Sequence, residues 1–493
     1  MTEYSIVRNM IRLKRQLRKR LLCGILLLLA GGCSPQVKKP AMPVKIPDSF
    51  SATGTAPLPE KWWSAFEDDE LDILIESALT NNFDLQTAWD RLVQGEAIAK
   101  KNSSILWPQA ELETLFRRRR QENQGLATYS SLYTLGIAAS YEVDLWSKLR
   151  SLQNASQLDA EASRDAVDTA AITLAASIAN TWYQLGENKA LVRIAQEQIE
   201  TNKKVLDIVT VQFRKGMASA ADVLRQRQLV ASTEARLITA EETVELLQYQ
   251  LSVLIGKQPV LAWQQTYINL PDLPPMPEIG IPAEVLQRRP DVRQGYQQIQ
   301  AADQRLAAAI SDQYPRISIL ADIETSSGTS VHDLFGDWLA NLAANALQPL
   351  FDADLRKAEV ERQKAVVSER IHTWGQTILY ALQDVEAALT WHQRQTQLLE
   401  NLKHQLSLAR QTYQRNRESY IKGKVDYIRV LESLQSLQEL ERNVVQAQSN
   451  LIQSRIDLYR SIAGPFDLSR PTLSHTSNLN EATATPENVT QDE

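Results

Sequence analysis

A chain of 493 residues with 43% hydrophobic and 23% charged residues has the composition of a folded protein, long enough for about three average domains or one extended body. A net charge of −6 offers nucleic acid no basic surface in bulk, and five His with two Cys leave almost no material for a zinc site or disulfide framework. A mean hydropathy of −0.31, with no apolar run of about 18 residues, excludes a bundle of membrane-spanning helices but not a β-barrel, whose strands alternate.

The chain opens on an address. Residues 1–20 carry Arg8, Arg12, Lys14, Arg15, Arg18, Lys19 and Arg20 against one acid, Glu3. An apolar run from Leu21 to Ala30 follows, then Gly31-Gly32-Cys33. Basic start, short apolar stretch and small residues define a secretory signal, too short to span a bilayer. Cysteine directly after small residues resembles a bacterial lipobox, with Ala30 where Leu is usual. That resemblance implies cleavage before Cys33, its acylation, and, through Ser34, delivery to the outer membrane. Cleavage would take the formal charge from −6 to −12 and leave Cys33 as the sole cysteine, so no disulfide is expected.

Proline then maps the chain. None occurs between Pro108 and Pro259, or between Pro349 and Pro465. Such tracts can hold long helices, which an interior proline would break. Prolines instead cluster at Pro271, Pro274, Pro275, Pro277 and Pro282, which reads as an extended linker. The two flanks repeat: Asp84 and Asp291, Trp107-Pro108 and Tyr314-Pro315, Gly216 and Gly423 each lie 207 residues apart.

Each copy offers the same parts. Between Tyr129 and Leu145, Tyr133, Leu135, Ile137, Tyr141 and Val143 alternate with small or polar residues, the period of a strand. In the second copy Ile317, Ile319, Ala321 and Ile323 alternate likewise, and a weaker strand is expected near Trp338–Leu350. Helices are expected over about 148–213 and 355–420, with Gly186 marking a kink or join in the first and Gly375 interrupting the second. Beyond Gly216, Val223, Val230, Leu237, Val244 and Leu251 fall seven apart. The second copy repeats this from Val430 to Leu458, so each long helix should turn back on a second at a helix-ending glycine. Four strands cannot close a barrel alone, so membrane embedding would demand oligomerisation.

The ordered motifs resemble TolC-like outer-membrane factors, and most closely the lipid-anchored OprM-type branch. They are Trp62-Trp63-x-x-Phe66, Arg91-Leu-Val-Gln94, Tyr141-Glu-Val-Asp-Leu-Trp-Ser-Lys-Leu-Arg150, Arg288-Arg-Pro-Asp-Val292 and Gln348-Pro-Leu-Phe351. Ser147 stands where that family usually has Gly. The resemblance implies an α+β fold: four strands per chain, twelve per homotrimer, forming an outer-membrane barrel continuous with a helical coiled-coil barrel in the periplasm. It also implies a passive duct, with no cofactor, that exports drugs or other small molecules supplied by an inner-membrane efflux pump through a periplasmic adaptor. The expected organisation is a signal peptide at 1–32, a lipid-anchored N-terminal tail at 33–66, a first repeat at 67–259, an equatorial linker at 260–282, a second repeat at 283–465 and a flexible tail at 466–493.

Carried over position by position, the resemblance places a periplasmic gate at Ile428 and Glu432, with Asp426 and Arg429 beside them. Three copies of Glu432 would form a ring favouring cations. It places adaptor docking at the turns holding Gly216, Met217 and Ser219, and Gly423 and Lys424. Arg117–Arg120 is expected to open the first hairpin loop, either solvated or facing lipopolysaccharide phosphates. Asn488-Val-Thr490 matches a glycosylation sequon that a bacterial-type leader makes accidental. Enzyme motifs are missing: there is no P-loop, G-x-S-x-G or H-E-x-x-H. His372, His392 and His404 have no compact-site spacing, and the latter two read as surface residues. A lipid-anchored periplasmic scaffold and a stand-alone porin are the competing readings.

Overall fold

The computed structural model describes residues 42–123, 126–263, 268–328 and 330–470. The leader, Cys33 and the tail beyond residue 470 lie outside these. The chain divides into two compact units, one holding Val93–Ala162 and Gly295–Gly375, the other Val44–Leu92, Ser163–Gln294 and the chain from Gln376 onward. Each unit therefore draws on both sequence copies.

The element order shows the duplication. The first copy runs α1 (Asp69–Asn81), α2 (Phe83–Ser104), β1 (Gln109–Asn123), β2 (Leu126–Val143), α3 (Lys148–Arg214) and α4 (Ala220–Leu254). The second runs α5 (Pro282–Arg288), α6 (Pro290–Ser311), β3 (Arg316–Ser327), β4 (Leu339–Leu347), α7 (Leu355–Ile421) and α8 (Tyr427–Ile462). The segments expected as long helices, about 148–213 and 355–420, are each one unbroken helix, α3 and α7. Gly186 therefore marks no join between helices. A Cβ there would come within 2.8 Å of Ile268, so the glycine serves close packing. Gly375 likewise lies inside continuous helix.

The first unit carries one antiparallel sheet in the order β1-β2-β3-β4. Residues paired across strands share a face. One face gathers Leu112, Phe116, Tyr133, Ile137, Ile319 and Ile323, and the other Glu111, Glu113, Thr134, Glu142, Asp322 and Glu324. Arg117–Arg120 are not loop residues as expected. All four pair with β2, from Arg117 opposite Leu132 to Arg120 opposite Tyr129, and β1 continues to Asn123. Their charge signalled a loop, but exposed strand positions carry charge equally well.

The passage from β2 into α3 explains one family motif. Asp144 accepts from the backbone N–H groups of Leu149 at 2.9 Å and Arg150 at 3.0 Å, capping the helix start. The Trp146 ring stacks on Tyr314 at 4.9 Å, and its Nε1 donates to the carbonyl of Pro315 at 2.9 Å. One copy's motif thus docks on the other's Tyr-Pro. Ser147 sits at φ 62°, the left-handed region where the family's glycine is unstrained.

The second unit holds the main core. Trp62, Trp63 and Phe66 form a buried 3-10 turn, and Trp62 stacks on Tyr459 at 5.7 Å. Trp182 Nε1 donates to Asp68 at 2.8 Å. The segment from Val44, assigned above to a tail, is therefore integral to the fold. Residues 54–56 pair with the linker at Met276 and Pro277, where a Cβ on Gly54 would fall 1.9 Å from the Met276 carbonyl. Arg455 ties the linker down through the carbonyls of Pro274 at 2.8 Å and Pro275 at 3.1 Å.

The copies are closed by matching joints. Asn82 caps α2 through the N–H of Leu85 at 2.9 Å and donates to the carbonyl of Leu254 at 2.9 Å. At the equivalent position Arg289 binds Asp291 at 2.7 Å and Asp384 at 3.1 Å, and donates to the carbonyl of Ser461 at 3.2 Å. Leu254 and Ser461 are again 207 apart.

His392 is half-buried and engaged, not a freely solvated surface residue. Its Nδ1 lies 3.2 Å from Ser454 Oγ, and its Nε2 faces Arg455 at 3.1 Å. Burial, with Arg455 adding to it, pushes its pKa down to about 4. The unfolded chain then takes up a proton that the folded chain resists. This contribution to stability is complete above about pH 6.5 and is lost as pH falls toward 4. His392→Gln should reduce the drop in melting temperature between pH 6.5 and 4, in thermal unfolding followed by circular dichroism. Ser147→Gly should raise stability by about 1 kcal/mol by relieving the left-handed serine, read from denaturant unfolding.

Candidate functional site at the helical turns

The gate and docking residues expected from the sequence lie at or beside two turns, α3–α4 and α7–α8, both in the second unit. Gly216 and Gly423 adopt φ of 72° and 70°. The following N–H groups bond back into the helix, Met217 to Gln212 and Lys424 to Ser419, both at 2.9 Å. This is the six-to-one closure of a helix ended by a left-handed residue. A methyl group on either glycine would meet nothing within 4 Å, so conformation and not crowding selects glycine. Met217, Ser219 and Lys424 are exposed.

The helices leaving these turns start differently. Ser219 caps α4 in a reciprocal box, its Oγ accepting from the N–H of Asp222 at 3.2 Å and its N–H donating to Asp222 at 3.0 Å. Asp426 takes the same position before α8, but its side chain makes no capping bond. In the first turns of α8, Tyr427, Val430, Leu431 and Leu434 are buried. The buried Tyr427, Leu431 and Leu434 pack with Val209, Val223 and Leu229. Ile428, Arg429 and Glu432 point the other way and are exposed. Ile428 and Glu432 lie one turn apart, so they share a face with Arg429 beside them. All four positions carried over from the family's gate are therefore exposed.

Behind this face lies a layer that sequence reasoning missed. The Tyr427 hydroxyl donates to Gln226 Oε1, and Gln226 Nε2 donates to the carbonyl of Asn202 at 2.8 Å. Asn202 donates to Thr233 at 3.0 Å and accepts from Gln438 at 2.8 Å. Gln198 donates to the carbonyl of Gln438 at 3.0 Å and accepts from Arg442 at 2.9 Å. Asn202, Gln226 and Thr233 are fully buried, and this layer joins α3, α4 and α8. Gln226 and Thr233 stand three residues after Val223 and Val230, so polar residues within the apolar seam were the available signal. Nearer the turn, Tyr420 and Tyr427 have ring centres 5.9 Å apart. Burial first, then the charge of Asp222, raises the pKa of Tyr420, and burial chiefly raises that of Tyr427.

The chemistry available here is mechanical and electrostatic. Among the described residues no cluster of His, Cys, Asp or Glu could hold a metal ion, and no helix is long and apolar enough to cross a membrane.

Comparison with known proteins agrees with this architecture. The family model described as "Outer membrane efflux protein" matches residues 74–257 and 281–464, one match for each copy. The chain is 28% identical over 468 residues to the pyoverdine export outer membrane protein OpmQ of Pseudomonas aeruginosa, covering 92% of this chain and 98% of that one. It is 28% identical over 463 residues to the toluene efflux pump outer membrane protein TtgC of Pseudomonas putida, covering 88% and 93%. Among solved structures, the outer-membrane channel OprN superposes with a TM-score of 0.82 at 22% identity, over 88% of this chain and 99% of that one. The MtrE outer membrane channel of Neisseria gonorrhoeae gives 0.77 at 23% identity, over 90% and 100%. With both halves matched by the family model, the chain belongs to the outer membrane efflux protein family.

Proposed function

We propose that this outer-membrane efflux protein is one third of a trimeric duct, anchored by acylated Cys33 and extending into the periplasm. It passes small molecules received from an inner-membrane pump through a periplasmic adaptor. One observation carries this reading. The four-stranded sheet has an apolar face, a polar face and an unpaired edge on each of β1 and β4 among the described residues. Hydrocarbon does not tolerate open edges, and three such sheets joined edge to edge have none. The apolar face also disfavours a soluble scaffold, and the helical hairpins have no place in a simple porin.

In this duct the exposed face of α8 forms the periplasmic gate. Ile428 supplies an apolar ring and Glu432 an acidic one, with Asp426 and Arg429 adjusting the charge. The exposed turns at Gly216, Met217 and Ser219, and at Gly423 and Lys424, meet the adaptor. The buried layer from Tyr427 to Gln438 holds α8 in one register behind the gate.

In planar bilayers the purified protein should favour cations, and Glu432→Ala should lower the cation-to-anion permeability ratio by about twofold. Unchanged conductance and selectivity would remove Glu432 from the gate. Tyr427→Phe leaves Gln226 Oε1 buried without its donor and should cost about 1–3 kcal/mol in urea unfolding.

A further inference from the structure

The arginine run is the sequence motif that the duct leaves without a task. Its four residues lie on β1, and the pleat divides them. Arg118 and Arg120 share a face with Phe116 on β1 and with Tyr129 and Tyr133 on β2. Arg117 and Arg119 project to the opposite face, that of Glu111 and Glu113. All four are exposed.

The apolar face has an order along it. On β2, Tyr141 and Tyr133 bracket Leu135, Ile137 and Ala139. Eight residues of strand span about 27 Å, or about 21 Å across the membrane at a tilt of about 40°, which covers most of an outer-membrane apolar band of about 25 Å flanked by aromatic girdles. Phe116 packs on Tyr133 with ring centres 4.9 Å apart. Arg118 is the next side chain on that face, its guanidinium 5.4 Å from the centre of the Tyr129 ring. Arg120 follows one step further, paired with Glu122 at 3.1 Å. From strand start to hairpin the face therefore runs apolar, aromatic, cationic, the order of hydrocarbon, interface and anionic headgroups.

A depression of 560 Å³ is lined from the same face by Leu112, Leu135, Ala139, Ala321, Ala340 and Leu342. Its mainly apolar lining suits an acyl chain. The helices join the strands at Gln109, Val143, Arg316 and Leu347, so the arginines lie near the end away from them. If the helices are periplasmic, as the duct reading holds, the arginines sit at the outer leaflet.

We propose that Arg118 and Arg120 form a phosphate-binding site for outer-leaflet lipopolysaccharide, with an acyl chain of the same lipid lying in the depression below. Guanidinium groups bind phosphate through paired charge-assisted hydrogen bonds. The competing Arg120–Glu122 pair is exposed at both ends, 58% and 59%, and such pairs are weak enough to yield to a phosphate. Arg118 is already oriented by Tyr129.

The test uses full-length protein extracted from outer membranes, with lipopolysaccharide retained per chain measured chemically. Arg118→Ala/Arg120→Ala should lower it by about fivefold or more, while Arg117→Ala/Arg119→Ala on the other face should leave it near wild type. Equal loss in both pairs, or loss in neither, overturns the site. Titration of the detergent-purified protein with lipid A, dephosphorylated lipid A and phosphatidylglycerol vesicles identifies the ligand. Dephosphorylated lipid A binding as well as lipid A overturns the phosphate contact. Phosphatidylglycerol binding as well as lipid A, with the same dependence on Arg118 and Arg120, overturns the glycolipid assignment. Flotation with outer membranes is scored on the same samples. A wild-type chain that does not float overturns the membrane reading and the site with it. A chain that floats while the Arg118/Arg120 pair changes nothing overturns the site alone.

Discussion

Every backbone N–H and C=O that faces hydrocarbon must find its partner within protein. That demand governs the rest of this molecule. The sheet satisfies it in the interior, where β2 and β3 are paired on both sides, and leaves it open at β1 and β4. The side chains on the two faces already anticipate different solvents, with isoleucine and tyrosine on one and five carboxylates on the other. A single chain therefore carries a membrane-compatible surface without a membrane-compatible boundary. In the proposed trimer the missing partners come from identical chains, so one physical constraint demands a closed ring of copies.

Duplication supplies that sheet from two hairpins, and the structure shows how two diverged copies hold the same joint. Asn82 and Arg289 share neither charge nor size, yet each reaches the carbonyl of an equivalent residue, Leu254 or Ser461, near the end of the returning helix. The requirement is a donor for a carbonyl left over at a helix end. Asparagine meets it while also capping α2, and arginine meets it while gathering Asp291 and Asp384. What repeats between the copies is the unsatisfied group, not the residue that satisfies it.

This explains what the sequence revealed and what it concealed. The long helices were legible to within a residue, because the absence of proline over some 65 positions is a strong signal. Alternation located β2 and β3, and glycine spacing located both turns. The extent of β1 was not legible, because four arginines read as solvent-exposed loop whether or not their backbone is paired. Gly186 was misread because a helical glycine has two explanations, a break or a close approach, and only the position of Ile268 decides between them. His392 looked solvated because helical periodicity does not show that Arg455 and Ser454 converge on it. At the site, the heptad pattern predicted which side of α8 would be buried. It could not pair Asn202 with Gln438, which lie 236 residues apart.

The buried layer also bears on how a gate on α8 could work. A heptad seam alone tolerates slippage, since apolar side chains fill one set of holes nearly as well as the next, and buried polar residues remove that freedom by accepting only one register. Here the polar contacts run from Tyr427, at the first turn of α8, to Arg442, about four turns along it. Motion of the proposed gate face carrying Ile428 and Glu432 must carry this helix with it. Sliding α8 by even one residue would strand several buried donors and acceptors together, at about 1–3 kcal/mol each. Bending at the turn, where a side chain on Gly423 would meet nothing within 4 Å and Asp426 makes no capping bond, breaks none of them. The arrangement therefore favours a gate that pivots at its glycine over one that slides along its seam.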